Sequence, residues 1–460
     1  MARSPAAQTR LSLRPDPGYP PSMLKRALCN LTGVKEDELG LALASGLLFF
    51  LILTGYYILR PLREEMGLAG GVENLPYLYL VNLGVMLLMA PAFGWVATRW
   101  SRGRFVPGIY LFFMLNLLVF YGLLRGRTGG SDITLGRVFF VWISVYNMWA
   151  VSLFWAFMAD GFVLERGKRL FGFISVGGSA GAVLGSTITA ALVDSVGRVN
   201  LVLVSAAFLF AAAAMCHRLG RVFAGRAGDE DDRRPLAPAP TAVASWRGVT
   251  AFVSSPYLLM IGAYIFLYTL SATFLYFQQA QIVDANVIGR AARARVFANI
   301  DQWTNILTFT LQLFLTGRLI GRLGVGTVLM ILPLAAVAGF TALSFAPVLP
   351  VLIVFQVVRR AGSYALSRPA RETLFTIVDR EQKYKAKSFI DTFVYRGGDV
   401  LGAGIFAALG GLGLSLGAIA LVAVPPAILW AVCGRWLGRR QERLARARAA
   451  GGAGPAATSR

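Results

Sequence analysis

"LALASGLLFFLILTGYYILRPLREE", Leu41 to Glu65, carries no charged residue before Arg60 and then ends on Arg60, Pro61, Arg63, Glu64 and Glu65. At a rise of about 1.5 Å per residue its apolar part matches a hydrocarbon layer of about 30 Å. A lone strand of that length would leave backbone groups unpaired in lipid, so the stretch predicts a membrane-spanning helix. Its charged end has two readings. It is either an anchor at a helix end or part of a site that handles a charged solute.

Runs of the same kind fall near 41–60, 75–98, 104–124, 137–160, 171–193 and 199–217, and again near 256–277, 301–321, 325–345, 349–367, 388–409 and 412–433. The second-half runs near 301, 349 and 388 are less purely apolar than the rest. The hydrophobic fraction of 56% against 15% charged residues suits a chain immersed in lipid. The expectation is an all-α polytopic membrane protein, with twelve transmembrane helices in two six-helix halves of major-facilitator-like architecture.

The segment "AGRAGDEDDRRPLAPAPTA" is acidic and proline-bearing, the composition of a linker between the halves. This predicts a cytoplasmic segment over 1–40, the first half over 41–217, a linker over 218–248, the second half over 249–433 and a basic tail over 434–460. The first 40 residues lack a signal-peptide pattern. Weak repeats support two parallel halves: Gly94 and Arg99 recur as Gly317 and Arg322, and Gly177-Gly178 as Gly397-Gly398.

Forty-five basic residues against 23 acidic ones give +22. They gather in alternate short gaps such as "TRWSRGR", "LERGKRL" and "REQKYKAK", which orients a membrane protein rather than marking a nucleic-acid stripe. Both termini are therefore expected in the cytoplasm, in an inner or plasma membrane, with membrane lipids as neighbours and no nucleic-acid polymer as partner. Cys29, Cys216, Cys433 and His217 show no metal-ligand spacing. Phosphate-loop, HExxH, calcium-loop and Gly-x-Ser-x-Gly patterns are missing, so no catalytic residue, metal or cofactor is expected.

Inside the spans, Arg359 and Arg360 stand out. Counting from Pro350, they lie roughly 14 Å into the membrane, too deep for both to be explained as residues reaching back to its edge. Neighbours on a helix point about 100° apart, so one can face a cavity while the other meets a carboxylate. A guanidinium fork suits phosphate or carboxylate. In "KSFIDTFVYRGGDVLGAG", Lys387 and Asp391, then Tyr395 and Asp399, lie four residues apart. Arg396, set off from the two aspartates, can reach another helix, and either aspartate fits a counterion or a proton carrier. In "ANIDQWTNILTFTLQLF", Asp301, Asn305 and Gln312 share one face. Asn116, Asn147 and Gln356 read first as interhelical hydrogen bonds. Trp155 and Tyr364 suit either packing or stacking on a solute, and the small residues of "GFISVGGSAGAVLGSTI" suit close helix packing.

Four blocks, "YYILRPLRE", "FWAFMADGFVLERGKRLFG", "RRAGSYALSRPARETLF" and "KYKAKSFIDTFVYRGG", resemble in order the ATP/ADP translocase family of plastids and intracellular bacteria, across roughly residues 41–433. The resemblance implies a twelve-span carrier exchanging adenine nucleotides. Its pattern is matched through Arg60, Arg63 and Glu64 in the first block and Glu165, Lys168 and Arg169 in the second. Tyr364, Arg371 and Glu372 match the third block, and Lys387, Asp391 and Arg396 the fourth. The chain departs from it at Ser367 and Arg368, where the family usually carries Phe and Asp.

The expected function is alternating-access transport of an anionic or phosphorylated metabolite, with nucleotide exchange as the leading case. Arg60, Arg63, Glu64, Arg359, Arg360, Tyr364 and Arg396 are the expected solute-binding residues. Asp301, Glu372, Lys387, Asp391 and Asp399 are expected in coupling or gating, and Glu165, Lys168 and Arg169 form a loop motif. Proton-coupled transport of another organic solute and a non-transporting membrane scaffold are the competing readings.

Overall fold

The structure is a computed structural model that describes residues 36–99, 102–126, 130–162, 164–226, 252–253, 255–378, 386–387 and 389–451. Most of the expected linker lies outside them. The first six helices are α1 (Glu36–Leu68), α2 (Leu75–Arg99), α3 (Arg102–Arg125), α4 (Gly130–Gly161), α5 (Leu164–Leu192) and α6 (Asn200–Arg226). The second six begin with α7 (Pro256–Asn286), α8 (Arg290–Phe314) and α9 (Thr316–Phe345). Next, α10 runs from Leu349 to Gly362, passes through a π turn at Ser363–Ser367 and continues over Arg368–Leu374. The π turn Ile390–Val394 leads into α11 (Tyr395–Gly411), and α12 spans Leu416–Gly451. No strand occurs among the described residues.

Ten described helices are long and apolar enough to cross a membrane. The two that fall short are α8 and α11. Polar residues explain the first, since α8 carries Arg290, Arg293, Arg295 and Asp301. The regular part of α11 is only 17 residues long behind its π turn. The eighth span also sits earlier than 301–321, because arginines that look like loop charges are its first turns. It stops at Phe314, and Gly324, with φ +74°, then breaks α9 just before the apolar stretch expected near 325–345. That φ lies in the left-handed region, which glycine enters without a Cβ clash.

Each half has its own core. Leu48, Ile52, Tyr110, Phe139 and Leu209 belong to the first, and Ile265, Leu329, Phe340 and Trp430 to the second. Within each half the fifth helix packs on the first through small residues. A Cβ at Gly177 would run into the backbone of Gly46, and one at Gly181 into that of Phe50. In the second half, a Cβ at Gly398 would meet Thr269, and one at Gly402 would lie 3.0 Å from Thr273. Close backbone approach of this kind holds helices together where lipid supplies no hydrophobic drive.

Where the halves share apolar packing, the residues come from one end of the bundle. Leu68, Leu75, Leu78 and Phe140 join the core of the second half, and Ala294 joins that of the first. All lie toward the ends of their helices remote from Glu36 and Gly451, here termed the far end. Below this seam the halves separate around a cavity.

Candidate functional site

The cavity between the halves has a volume of about 580 Å³. Its lining includes seven arginines, Arg60, Arg63, Arg359, Arg360, Arg368, Arg371 and Arg396, against three carboxylates, Glu64, Asp301 and Asp399. That leaves an excess of four positive charges between low-dielectric walls, a geometry that focuses potential on an anion.

The carboxylates are already engaged. Asp301 Oδ1 lies 2.7 Å from Arg60 Nη1 and 2.6 Å from Arg360 Nη2, so one oxygen joins guanidiniums from opposite halves. Glu64 accepts from Arg63 Nη1 at 2.9 Å and, across the halves, from the Tyr276 hydroxyl at 2.8 Å. Asp399 lies 3.6 Å from Arg396 and accepts from Thr273 Oγ1 at 3.3 Å. Arg396 also reaches the first half, with Nη2 donating to the Met86 sulfur at 3.4 Å.

Among the described residues Arg359, Arg368 and Arg371 have no carboxylate within ion-pair distance. Arg359 is 6% exposed. Its Nη2 donates to Gln356 Oε1 at 3.2 Å, and Gln356 in turn donates to Gln279 Oε1 at 2.6 Å. Its Nε and Nη1 are buried with no partner. A buried guanidinium with unmet donors is costly unless another group meets them. Arg359 lines the cavity with these donors just beneath its surface, which makes it the clearest place for an anion to be drawn in once neighbouring side chains give way.

The π turn explains why so much of α10 faces one cavity. In a regular α-helix Arg368 would point about 180° away from Arg359, nine residues earlier. The wider turn at Ser363–Ser367 shifts the register. Arg359, Arg360, Tyr364, Arg368 and Arg371 then all line the space. The Arg368 guanidinium lies 4.6 Å above the Tyr364 ring, and that of Arg371 is 5.7 Å from the Tyr268 ring. Arg368 is exposed at the mouth.

The expected solute-binding set, Arg60, Arg63, Glu64, Arg359, Arg360, Tyr364 and Arg396, is gathered in this one cavity, along with Asp301 and Asp399. Glu372 and Lys387 are elsewhere: the Lys387 ammonium donates to both Glu372 oxygens, at 2.8 and 2.6 Å, in an exposed clasp between α10 and the segment before α11. Asp391 falls in the π turn, and Glu165, Lys168 and Arg169 in the first turns of α5, but their side chains lie outside the described set. Trp155 packs against Phe49, Phe154 and Phe171 and does not line the cavity. Asn305 donates to Ala182 O at 3.1 Å and Gln312 to Tyr364 O at 3.4 Å, so both are helix-to-helix contacts.

The sequence reading passed over a stripe on α7. Tyr268, Ala272, Tyr276 and Gln279 all line the cavity. Their spacing of four, four and three was a legible helical face within an apolar span.

At the far end the cavity is closed by ion pairs. Buried Glu65 lies 3.5 Å from Arg198 and pairs with Arg290 of the other half. Asp194 pairs across the halves with Arg295. Gln302 Nε2 donates to Thr187 Oγ1 at 2.9 Å along the same α5–α8 seam. Toward the other end, where Arg368 is exposed, no ion pair joins the halves among the described residues.

No family model matches the sequence, and no curated protein does. Solved structures do match the fold. A bacterial homologue of the iron transporter ferroportin, in an inward-facing state, superposes with a TM-score of 0.60 at 13% identity, over 88% of this chain and 100% of that one. A POT family transporter in complex with a thioalcohol-conjugated peptide gives 0.58 at 10% identity, over 85% and 96%. The nucleoside transporter NupG gives 0.56 at 14% identity, over 88% and 98%. The chain therefore has the major-facilitator-type fold of a polytopic membrane protein. At these identities the likeness extends to architecture and not to cargo.

Proposed function

We propose that this chain is an alternating-access carrier for an anionic or phosphorylated small solute, with nucleotide exchange of the ATP/ADP type as the leading case. The observation that carries the proposal is Arg359, a buried cavity-lining residue with two unpartnered donor nitrogens and no carboxylate partner among the described residues. Beside it, Arg368 and Arg371 bring further charge, with no carboxylate within ion-pair distance among the described residues. A phosphate or carboxylate supplies the missing acceptors and screens the repulsion. The fold supports transport because two halves around a central site can rock between openings. Binding then changes the relative stability of the two forms. On this reading the basic short loops put the end beside Arg368 at the cytoplasm, and the described form is the inward-open one.

The deciding experiment is reconstitution into sealed vesicles, with labelled nucleotides, phosphate esters and organic anions offered with and without internal countersolute. Saturable uptake of an anion that depends on countersolute supports exchange. Uptake of none of these classes rejects the proposal. A proton-coupled cycle is favoured by one observation, the loose 3.6 Å Arg396–Asp399 pair inside the cavity. It predicts uptake that collapses when the pH gradient is removed, whatever countersolute is present.

A further inference from the structure

We propose that Asp301 is a tethered stand-in for the solute's anionic group: its carboxylate neutralises Arg60 and Arg360 in the empty cavity, and an incoming anion competes with it for both guanidiniums. The inference rests on the carrier reading above and assigns Asp301 a role distinct from coupling by proton transfer.

Three observations converge on this residue. First, Asp301 Oδ1 accepts from Arg60 Nη1 of α1 at 2.7 Å and lies 2.6 Å from Arg360 Nη2 of α10, an ion pair whose nitrogen is not aligned to donate. An ordinary structural carboxylate facing two guanidiniums has two oxygens to divide between them. The carboxylate thus bridges the halves and answers two guanidiniums that a solute's phosphoryl or carboxyl group could answer in its place. Second, this meeting point is on the cavity wall and not in a packed core, since Arg60, Asp301 and Arg360 all line the space. The Asp301 side chain is 3% exposed, against 17% and 10% for its partners, so an anion in the void meets the two guanidiniums first and takes them over from the carboxylate. Third, Asp301 belongs to α8, whose neighbouring Gln302 and Asn305 tie it to α5 of the opposite half. The carboxylate is thereby held where both halves can be felt.

The consequence for the cycle is electrostatic. Without Asp301, Arg60 and Arg360 would be two buried like charges facing each other across the seam, and bringing the halves together would be opposed. With it, the empty carrier has its cations answered, at the cost of competition with every anion that enters. Solute affinity is thus set below what the arginines alone would give, which aids release on the far side. Asp301 is a positioning and specificity-determining residue: it favours solutes whose charge density exceeds that of a single carboxylate, because only those displace it.

The test is Asp301→Asn, with ADP and inorganic pyrophosphate as probes, titrated against purified protein in detergent and then used as labelled solutes in vesicles. Binding of at least one probe is expected to tighten by about tenfold or more, because the competitor is gone while both arginines remain. Exchange against internal probe should persist while net uptake into empty vesicles falls, since the unloaded form now carries two unanswered cations. Equal or weaker binding of both probes to a monodisperse D301N protein overturns the inference.

If D301N does not yield folded protein, Asp301→Glu decides. Its longer reach pushes the carboxylate further into the anion position and should weaken probe binding, and unchanged or tighter binding overturns the idea. Failure here is separable from failure of the carrier reading: the latter shows as absence of anion uptake by the unaltered chain, whereas this inference fails on the comparison between the two side chains.

Discussion

The far end of the bundle and the central cavity use the same residue, arginine, and differ in how many carboxylates answer it. At the far end Arg198, Arg290, Arg293 and Arg295 each meet Glu65, Asp284 or Asp194. In the cavity seven arginines face three acids, all three already engaged. A balanced set closes a structure. An unbalanced one needs something from outside, and its buried members are the places to look for a ligand. The contrast makes one demand on experiment: substitutions in the cavity should cost transport without stability, and substitutions at the far end should change which opening is populated.

The sharpest break is at Arg359. Arg359→Gln removes a buried charge that no described carboxylate depends on, at the loss of one hydrogen bond to Gln356, so the thermal midpoint should hold or rise. Loss of a desolvated partner to a bound anion costs about 2–5 kcal/mol, which is at least about thirtyfold in uptake efficiency. Uptake measured in vesicles alongside a melting curve decides it. A fall in both together would place Arg359 among the structural arginines and erase the contrast.

Glu65→Gln is the matching test at the other end. The carboxylate is 1% exposed and pairs with arginines from both halves. Breaking a buried pair by removing one partner costs about 3–5 kcal/mol, and the share of this that differs between openings moves their populations. A cysteine at Ala272, half-buried on the cavity wall, reports the outcome. In the parent it should react with an impermeant thiol reagent from the near side only; with E65Q, labelling from the far side should rise about tenfold. Unaltered sidedness would mean that apolar packing by Leu68, Leu75 and Phe140 closes the far end unaided.

These two sites were not equally legible in the sequence. Arg359 and Arg360 announced themselves, because charges midway along an apolar span have few explanations. Leu41–Arg60 likewise fixed a helix by length alone. The far-end pairs were hidden, since Glu65 and Arg290 are 225 positions apart and the arginines of 290–295 look like a loop when hydropathy is the guide. Arg368 was hidden for a local reason. Its place in the cavity depends on the π turn at Ser363–Ser367, and regular helical spacing puts it on the opposite face. The α7 stripe of Tyr268, Tyr276 and Gln279 was visible at helical spacing, but tyrosines in a membrane span read first as interface anchors.

Arg368 is exposed where the cavity opens, so its charge acts through space before contact. Arg368→Gln should raise the half-saturating anion concentration about threefold with little change in the maximal rate, and the difference should vanish at high salt because exposed charges are screened beyond a Debye length. A drop in maximal rate instead would move Arg368 from the mouth to the binding position and extend the unbalanced region to the bundle's edge.

The smallest effect belongs to Asp194 and Arg295, which form the exposed member of the far-end set, at 43% and 48% side-chain exposure. Exposed pairs contribute about 0–1 kcal/mol and weaken with salt. Asp194→Asn should therefore leave the Ala272 cysteine labelled from the near side with less than about a twofold change, set against the larger shift expected at Glu65. The two substitutions remove the same charge from the same seam, so composition cannot separate them. Only burial does: water already answers Asp194 and Arg295 when they part, while Glu65 has no such substitute. Equal shifts from both would show that the seam responds to total charge, and the distinction between paired and unpaired arginines would then have to rest on the cavity alone.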